Sequence, residues 1–216
     1  MKKIDHNYWI GYVDADRENP DLRIAMRELY GRKGFDFGND RGTFYDKDIR
    51  NHYRPDGYSS YTSLTTNYVK PFRHKAVENN KELAERCFLL ACTIAGELFF
   101  PASTLGGGNT INQARNSHFK DLVHPMLESI KKYYDKERGD YPFKNVIEKY
   151  GYFFDSFASF DEYLEYNFLQ DYELLPKKFP TNEGELVEFW KRSIEFLEAR
   201  LKRIEGYARR NGLLEL

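Results

Sequence analysis

With only two cysteines in 216 residues, the chain cannot be a disulfide scaffold, and the placement of the two excludes the common metal and redox uses of thiols. Cys87 and Cys92 lie five apart in the apolar run CFLLACTIAGELFF, neither a CxxC pair nor half of a zinc site, and are expected to be buried free thiols. Long apolar runs are missing as well: none is long enough to span a bilayer, and the opening MKKIDHNYWIGYVDADREN carries no apolar signal block. The expectation is a soluble, cytoplasmic protein with no membrane partner. Nor is there an excess of one sign of charge. Lys and Arg number 33 against 34 Asp and Glu, a net charge of −1, so no global field draws the chain to nucleic acid or acidic lipid. Any anion site must be local. Repeats, low-complexity tracts and linker-like shifts are also lacking, which favours one globular domain over residues 1–216.

What the chain has in quantity is aromatic side chains, 17 Tyr and 17 Phe, the composition of a large aromatic core or of a self-associating surface. The fold class expected is α+β and predominantly α-helical, with a helical bundle in the C-terminal half and a small β element around residues 86–101. NPDLRIAMRELYG reads as a helix capped by Asn19, with Pro20 in its first turn and Gly31 as its stop. Ser59 or Ser60 is a candidate cap for a helix to about Tyr68, ended by Pro71. In the run 86–101, periodicity alone cannot separate helix from strand, and Gly96 and Pro101 favour two buried strands.

Downstream the 3.6-residue period takes over. A helix carrying Met126, Leu127, Ile130 and Tyr134 is expected to begin between Asp121 and His124, because Pro125 is tolerated only in a first turn. Val146, Ile147, Tyr150, Phe153 and Phe154 share one face. Ser159 with Glu162, and Asn182 with Glu185, have capping-box spacing. The last helix repeats Leu186, Trp190, Ile194, Leu197, Leu201, Ile204 and Ala208, a core-facing stripe, and ends at Asn211 and Gly212. Arg200, Lys202, Arg203, Arg209 and Arg210 read as its solvated face.

The densest chemistry lies in GELFFPASTLGGGNTINQARNSHFKD. Thr110 and Gln113 have capping-box spacing, so a helix begins at Thr110 and its first-turn amides face the loop Gly106, Gly107, Gly108 and Asn109. Helix dipole and free amides together make a local positive pole suited to phosphate or carboxylate, and glycines let a ligand approach the backbone. Neither the G-x-x-x-x-G-K-[ST] nor the G-x-G-x-x-G pattern is present. Asn112, Arg115 and Asn116 share a polar face of this helix, and His118 follows. Asn167 and Asp171, four apart in EYLEYNFLQD, are expected to share a helical face, with Asp171 pairing Arg115. The candidate ligand-binding set is therefore Gly107, Gly108, Asn109, Thr110, Asn112, Arg115, Asn116, His118 and Asp171. Asp36, Asp40, Asp46 and Asp48 cluster in a turn-rich region without calcium-loop spacing, so no tight calcium or zinc and no cofactor is expected.

The blocks FDFGND, YSSYTSLTTNYVKPF, TIAGELFFP, TINQARNSHFKDLVHPMLESIKKYY and YFFDSFASFDEYLEYNFLQD, over roughly residues 35–175, resemble a family of bacterial proteins known only as a domain of unknown function. Asn116 stands where that family's pattern has glycine, and Ser129, Lys131 and Lys132 replace cysteine and two arginines. The resemblance implies a shared fold and brings no activity with it. Three classes of function follow from the residues. The first is binding of a phosphate-bearing small molecule or nucleotide at the glycine loop. The second is action on nucleic acid, disfavoured by the charge balance. Arg115 is followed after two residues by His118 and after eight by His124, whereas the arginine-to-histidine motif of HEPN-type nucleases has four to six between. The third is an aromatic-rich interaction protein, as a homo-oligomer or with another partner.

Overall fold

Asn182 starts the longest helix, because its Oδ1 accepts the Glu185 N–H at 2.9 Å while the Glu185 carboxylate accepts the Thr181 N–H and hydroxyl, each at 2.8 Å. In this computed structural model residues 28–33, 53–57, 69–101 and 111–213 are described. The elements in chain order are strand β1 (Tyr53–Gly57), helices α1 (Lys70–Asn79) and α2 (Lys81–Ala91), strand β2 (Glu97–Pro101), and helices α3 (Ile111–Phe119), α4 (His124–Tyr134), α5 (Lys144–Lys149), α6 (Gly151–Phe154), α7 (Phe160–Tyr166) and α8 (Glu183–Arg210). Single 3-10 turns stand at Gly31–Lys33, Ile94–Gly96 and Tyr172–Leu174. The fold is predominantly helical α+β, its C-terminal half a set of packed helices.

Helix α8 has 28 residues and packs on α1, α2 and the turns at 94–96 and 172–174. Its expected stripe is buried at Leu186, Trp190, Ile194, Leu197, Ile204 and Ala208, while Leu201 is half-buried. A second row, Phe189, Ser193, Phe196 and Arg200, is buried beside the first. Two rows at spacings of three and four cover a wider sector than one stripe, so α8 is lined by neighbours on more than one side. The main core gathers Tyr30, Phe99, Phe100, Met126, Ile130, Tyr150, Phe153, Phe154, Tyr163, Tyr166 and Leu197. Tyr30 stacks on Phe99 at 4.9 Å, and Phe153 meets Phe99, Phe154 and Phe157 edge-on. Among the described residues only Tyr152 and Leu213 are large hydrophobics that stand exposed, so the described aromatic side chains are mostly core.

Arg200 corrects the reading of a solvated basic face. It is fully buried and donates Nη1 to the Ala95 carbonyl (2.6 Å), Nη2 to the Tyr30 hydroxyl (3.0 Å), and both Nε and Nη2 to the Asn167 carbonyl (3.3 and 3.1 Å). The row Phe189, Ser193, Phe196 places position 200 inward, and the planar guanidinium satisfies three oxygens from three separate segments.

The run 86–101 divides between the two alternatives. It is helical through Ala91, turns at Ile94–Gly96, and becomes a strand at Glu97, antiparallel to β1 with Arg54 opposite Phe100 and Gly57 opposite Glu97. Gly96 marks the junction: a Cβ there would stand 1.8 Å from the Ala91 carbonyl oxygen. Thr93 caps the turn, accepting the Ala95 N–H at 3.2 Å. Pro71 opens α1 in its first turn where it was expected to end a helix, the other position at which its missing N–H costs nothing. Pro125 does the same for α4, as expected. Ser159 accepts the Glu162 N–H at 3.1 Å. The face of Ile147, Tyr150, Phe153 and Phe154 is buried, but the helix breaks at Tyr150 into α5 and α6. The caps at Asn19, Ser59 and Ser60 and the carboxylates Asp36, Asp40, Asp46 and Asp48 lie outside the described residues. No described helix is long and apolar enough to cross a membrane.

Two stability predictions follow. Arg200→Met keeps the apolar stem but leaves buried carbonyl and hydroxyl oxygens without donors, at about 1–3 kcal/mol each. Urea denaturation should show a loss of several kcal/mol, and Arg200→Lys should recover only part, since an ammonium cannot match the fork. Gly96→Ala must displace the Ala91 carbonyl, and a lower melting temperature corresponding to about 1–3 kcal/mol of overpacking is expected.

Candidate functional site

Helix α7 ends without glycine. The Phe168 N–H bonds the Glu165 carbonyl (3.2 Å) and the Leu169 N–H bonds the Leu164 carbonyl (2.8 Å), the hydrogen-bond pair of a Schellman motif. The left-handed residue that this motif requires, usually glycine, is Phe168 at φ +56°. A bulky side chain there costs about 1–2 kcal/mol of backbone strain. The same turn presents the Asn167 carbonyl to Arg200. It also sets the Phe168 ring edge-on to Tyr207 of α8 at 5.5 Å.

Between this turn and the last turns of α8 lies an open cleft of about 470 Å³. Tyr166, Phe168 and Tyr207 line it with rings; Lys33, Lys202, Arg203 and Arg210 bring cations; Glu162, Glu165 and Gln170 complete the wall. Two of the cations are engaged. Lys33 is paired with Glu162 and donates to the Ser156 carbonyl at 2.9 Å, and Arg203 holds Asp171 through Nε and through Nη2 at 2.9 Å. The Arg203 fork holds the Asp171 carboxyl below the usual carboxylate range, and the Lys33 ammonium does the same for Glu162. Lys202 and Arg210 extend exposed from α8. Gly206, one turn from each, has no side chain, and a Cβ there would meet Arg210 Nη1 at 3.4 Å. Tyr166 and Phe168 are buried, so the half-buried Tyr207 presents the accessible ring, and with Lys202 and Arg210 beside it the cleft can take a flat ring on one side and an anionic group on the other.

The residues selected from the sequence scatter. Gly107, Gly108, Asn109, Thr110 and the side chain of Asn112 lie outside the described residues, although helix α3 does begin just after Thr110. Arg115 is buried, with Nη2 3.8 Å from Asp121 Oδ1, and exposed Asn116 donates to Asp121 Oδ2 at 2.5 Å. Two successive left-handed residues, Lys120 (φ +50°) and Asp121 (φ +66°), fold that carboxylate back over the helix. His118 is exposed, its ring edge-on to Phe143 at 5.9 Å. Asp171 does not pair Arg115. Helix α7 stops at Tyr166 and the chain reverses at Phe168, so Asn167 and Asp171 share no helical face, and Asp171 turns to α8. Asn167 is instead the C-cap, donating to the Tyr163 carbonyl at 2.8 Å.

Two further groups bear on chemistry. Cys87 is buried and Cys92 half-buried, and burial with the nearby Glu97 charge pushes the Cys92 thiol up to about 12, far from thiolate reactivity. His124, Glu128 and Glu173 bring one ligand atom each within 4.8 Å of one another. His124 thus faces Glu173 and Arg115 faces Asp121, not an arginine–histidine pair. The cleft was missed because Lys202, Arg203 and Arg210 were counted as helix surface; the available signal was Gly206, a glycine inside a strongly periodic helix.

Fold and cleft together define a predominantly helical α+β protein with an aromatic cleft edged by cations. Residues 4–204 match DUF6994, a family of unknown function, and the chain belongs to that family. No curated protein and no solved structure matches it.

The Arg115–Asp121 contact makes a prediction. Arg115→Ala removes a large buried side chain together with its contact to the half-buried Asp121, so it should destabilise the protein by about 2–5 kcal/mol. Chemical denaturation of Arg115→Ala, Asp121→Asn and the double variant measures it, with the double costing less than the sum of the singles.

Proposed function

We propose that the protein binds an anionic small molecule carrying a planar ring, of nucleotide type, in the cleft between the α7 turn and the end of α8. The observation that carries this reading is the half-buried Tyr207 ring with the exposed cations Lys202 and Arg210 at the rim of the same cleft. Phe168, a strained left-handed aromatic where glycine would be easier, is buried behind that ring and sets it edge-on. Stacking of a base on an aromatic ring contributes about 1–3 kcal/mol, and charge-assisted hydrogen bonds from lysine and arginine fix a phosphate. The near-neutral chain suits a small anion better than a long polyanion, since it presents no global positive field. The reading transfers the anion from the glycine loop at 106–109 to α8. No reaction is assigned.

Thermal melts against a panel of nucleotides, nucleosides, inorganic phosphate and short RNA test it. Nucleotides should stabilise the protein, by about 2.7 kcal/mol at one hundred times Kd, and nucleosides or phosphate alone should do less. The double variant Lys202→Ala/Arg210→Ala, altered only at exposed positions, should melt as the parent does and bind at least tenfold more weakly by calorimetry. Unchanged binding in that variant would return the anion to the glycine loop. No stabilisation by any nucleotide would remove the reading.

A further inference from the structure

We propose that His124, Glu128 and Glu173 form a binding site for a divalent transition metal ion of zinc type. The three come from two elements that pack together: His124 and Glu128 are one turn apart on α4, and Glu173 lies in the 172–174 turn. Their donor atoms all lie within 4.8 Å of one another, and His124 Nε2 stands 3.4 Å from Glu173 Oε2. Metal–ligand bonds of about 2.0–2.2 Å in a tetrahedron put neighbouring donors about 3.3–3.6 Å apart, so this pair already has the required separation. Small side-chain rotations bring in Glu128.

The surroundings fit a held site better than a chance meeting of surface charges. His124 is only 7% exposed, with the Tyr172 ring centred 5.5 Å from its own. The Tyr172 hydroxyl donates to Glu128 Oε1 at 3.1 Å, fixing that carboxylate in the way hydroxyls and amides orient metal-binding carboxylates elsewhere. The donor set, one imidazole nitrogen and two carboxylates, selects zinc and its neighbours over magnesium and calcium, which prefer all-oxygen shells. Three protein ligands leave a position for water or for an anionic group of a bound molecule. One group opposes the ion: Lys177 Nζ sits 2.7 Å from Glu173 Oε2, the oxygen that also faces His124. Lys177 is exposed, so its ammonium can swing away when a dication takes that oxygen. The inference revises the expectation that the chain holds no tight zinc, and it stands on residues separate from the cleft, so either can fail without the other.

The competing account is a His124–Glu173–Lys177 ion-pair cluster, and Lys177 separates the two. Full-length protein freed of metal by chelator is titrated with Zn2+, Mn2+, Mg2+ and Ca2+, with bound metal quantified after dialysis and thermal melts run in parallel. The expected result is one equivalent of Zn2+, a raised melting temperature, and much weaker response to Mg2+ and Ca2+. Glu173→Gln, exposed and therefore tolerated, and Glu128→Gln should each weaken zinc more than tenfold, Tyr172→Phe about tenfold, and Lys177→Ala should tighten it. The proposal is overturned if zinc binding is substoichiometric, if calcium binds as well, or if Glu128→Gln and Glu173→Gln bind as the parent does. A Lys177→Ala variant that loses stability without gaining zinc affinity establishes the ion-pair cluster instead.

Discussion

Everything in the C-terminal half refers to the guanidinium of Arg200. It is a full charge at zero exposure, and its four hydrogen bonds end on oxygens of Tyr30, Ala95 and Asn167, residues that lie as much as 170 positions from it in the chain. An unsolvated guanidinium is costly to bury, and the cost falls only when donors meet acceptors in the plane of the group. That requirement fixes three segments relative to α8 at once. The turn that precedes β2 must offer the Ala95 carbonyl, the helical residues at 28–30 must offer the Tyr30 hydroxyl, and α7 must end so that the Asn167 carbonyl points inward. Apolar packing alone would allow each to slide. Tyr30 reinforces the arrangement, since its carbonyl accepts the Tyr166 hydroxyl while its ring stacks on Phe99.

The consequence for the candidate site is direct. The Asn167 carbonyl is held by Arg200, and the residue after it, Phe168, leaves the helix through the left-handed region. The strain there is sustained by a hydrogen-bond network centred some distance away, the usual way a fold keeps an unfavourable dihedral. The ring then lands against Tyr207, and the chain continues directly to Asp171, which closes on Arg203. A single buried cation on one side of α8 thus shapes the turn against which the exposed cations on its other side are set.

Much of this is legible in the sequence alone. Ser159 with Glu162 and Asn182 with Glu185 are local signals, complete within four residues, and both caps form. Pro125 announced the start of α4, and the α8 stripe announced its buried face. What could not be read depended on partners remote in sequence. Arg200 looks like any helix-surface arginine until the oxygens it meets are placed, and the helix-to-strand change at Gly96 is set by contact with the Ala91 carbonyl, which neither propensity nor period encodes. The expected Asp171–Arg115 pair failed for a local reason that carries no common signal: a phenylalanine took the position glycine usually holds, so the helix ended unseen. His124 and Glu128 stood one turn apart in plain view, but nothing in the sequence said that Glu173 would join them.

Charge by itself does not argue for a ligand at the end of α8. Lysines and arginines in the last turns of a helix offset its negative pole, by about 0.3–1 kcal/mol each, so Arg209 and Arg210 are accounted for by α8 itself. Two uncharged residues of the cleft carry costs of their own. Glycine inside a helix costs about 0.8–1.0 kcal/mol relative to alanine, and Gly206 stands inside α8. Phe168 adds its left-handed strain, about 1–2 kcal/mol, where glycine would be strain-free. Together these come to about 2–3 kcal/mol set against a fold whose total stability is of the order of 5–15 kcal/mol. Both residues line the same cleft, and Gly206 leaves space beside Arg210 while the buried Phe168 ring backs Tyr207. Core packing and the Arg200 network sustain the strain at Phe168, so the cost at Gly206 is the part that the proposed ligand would offset.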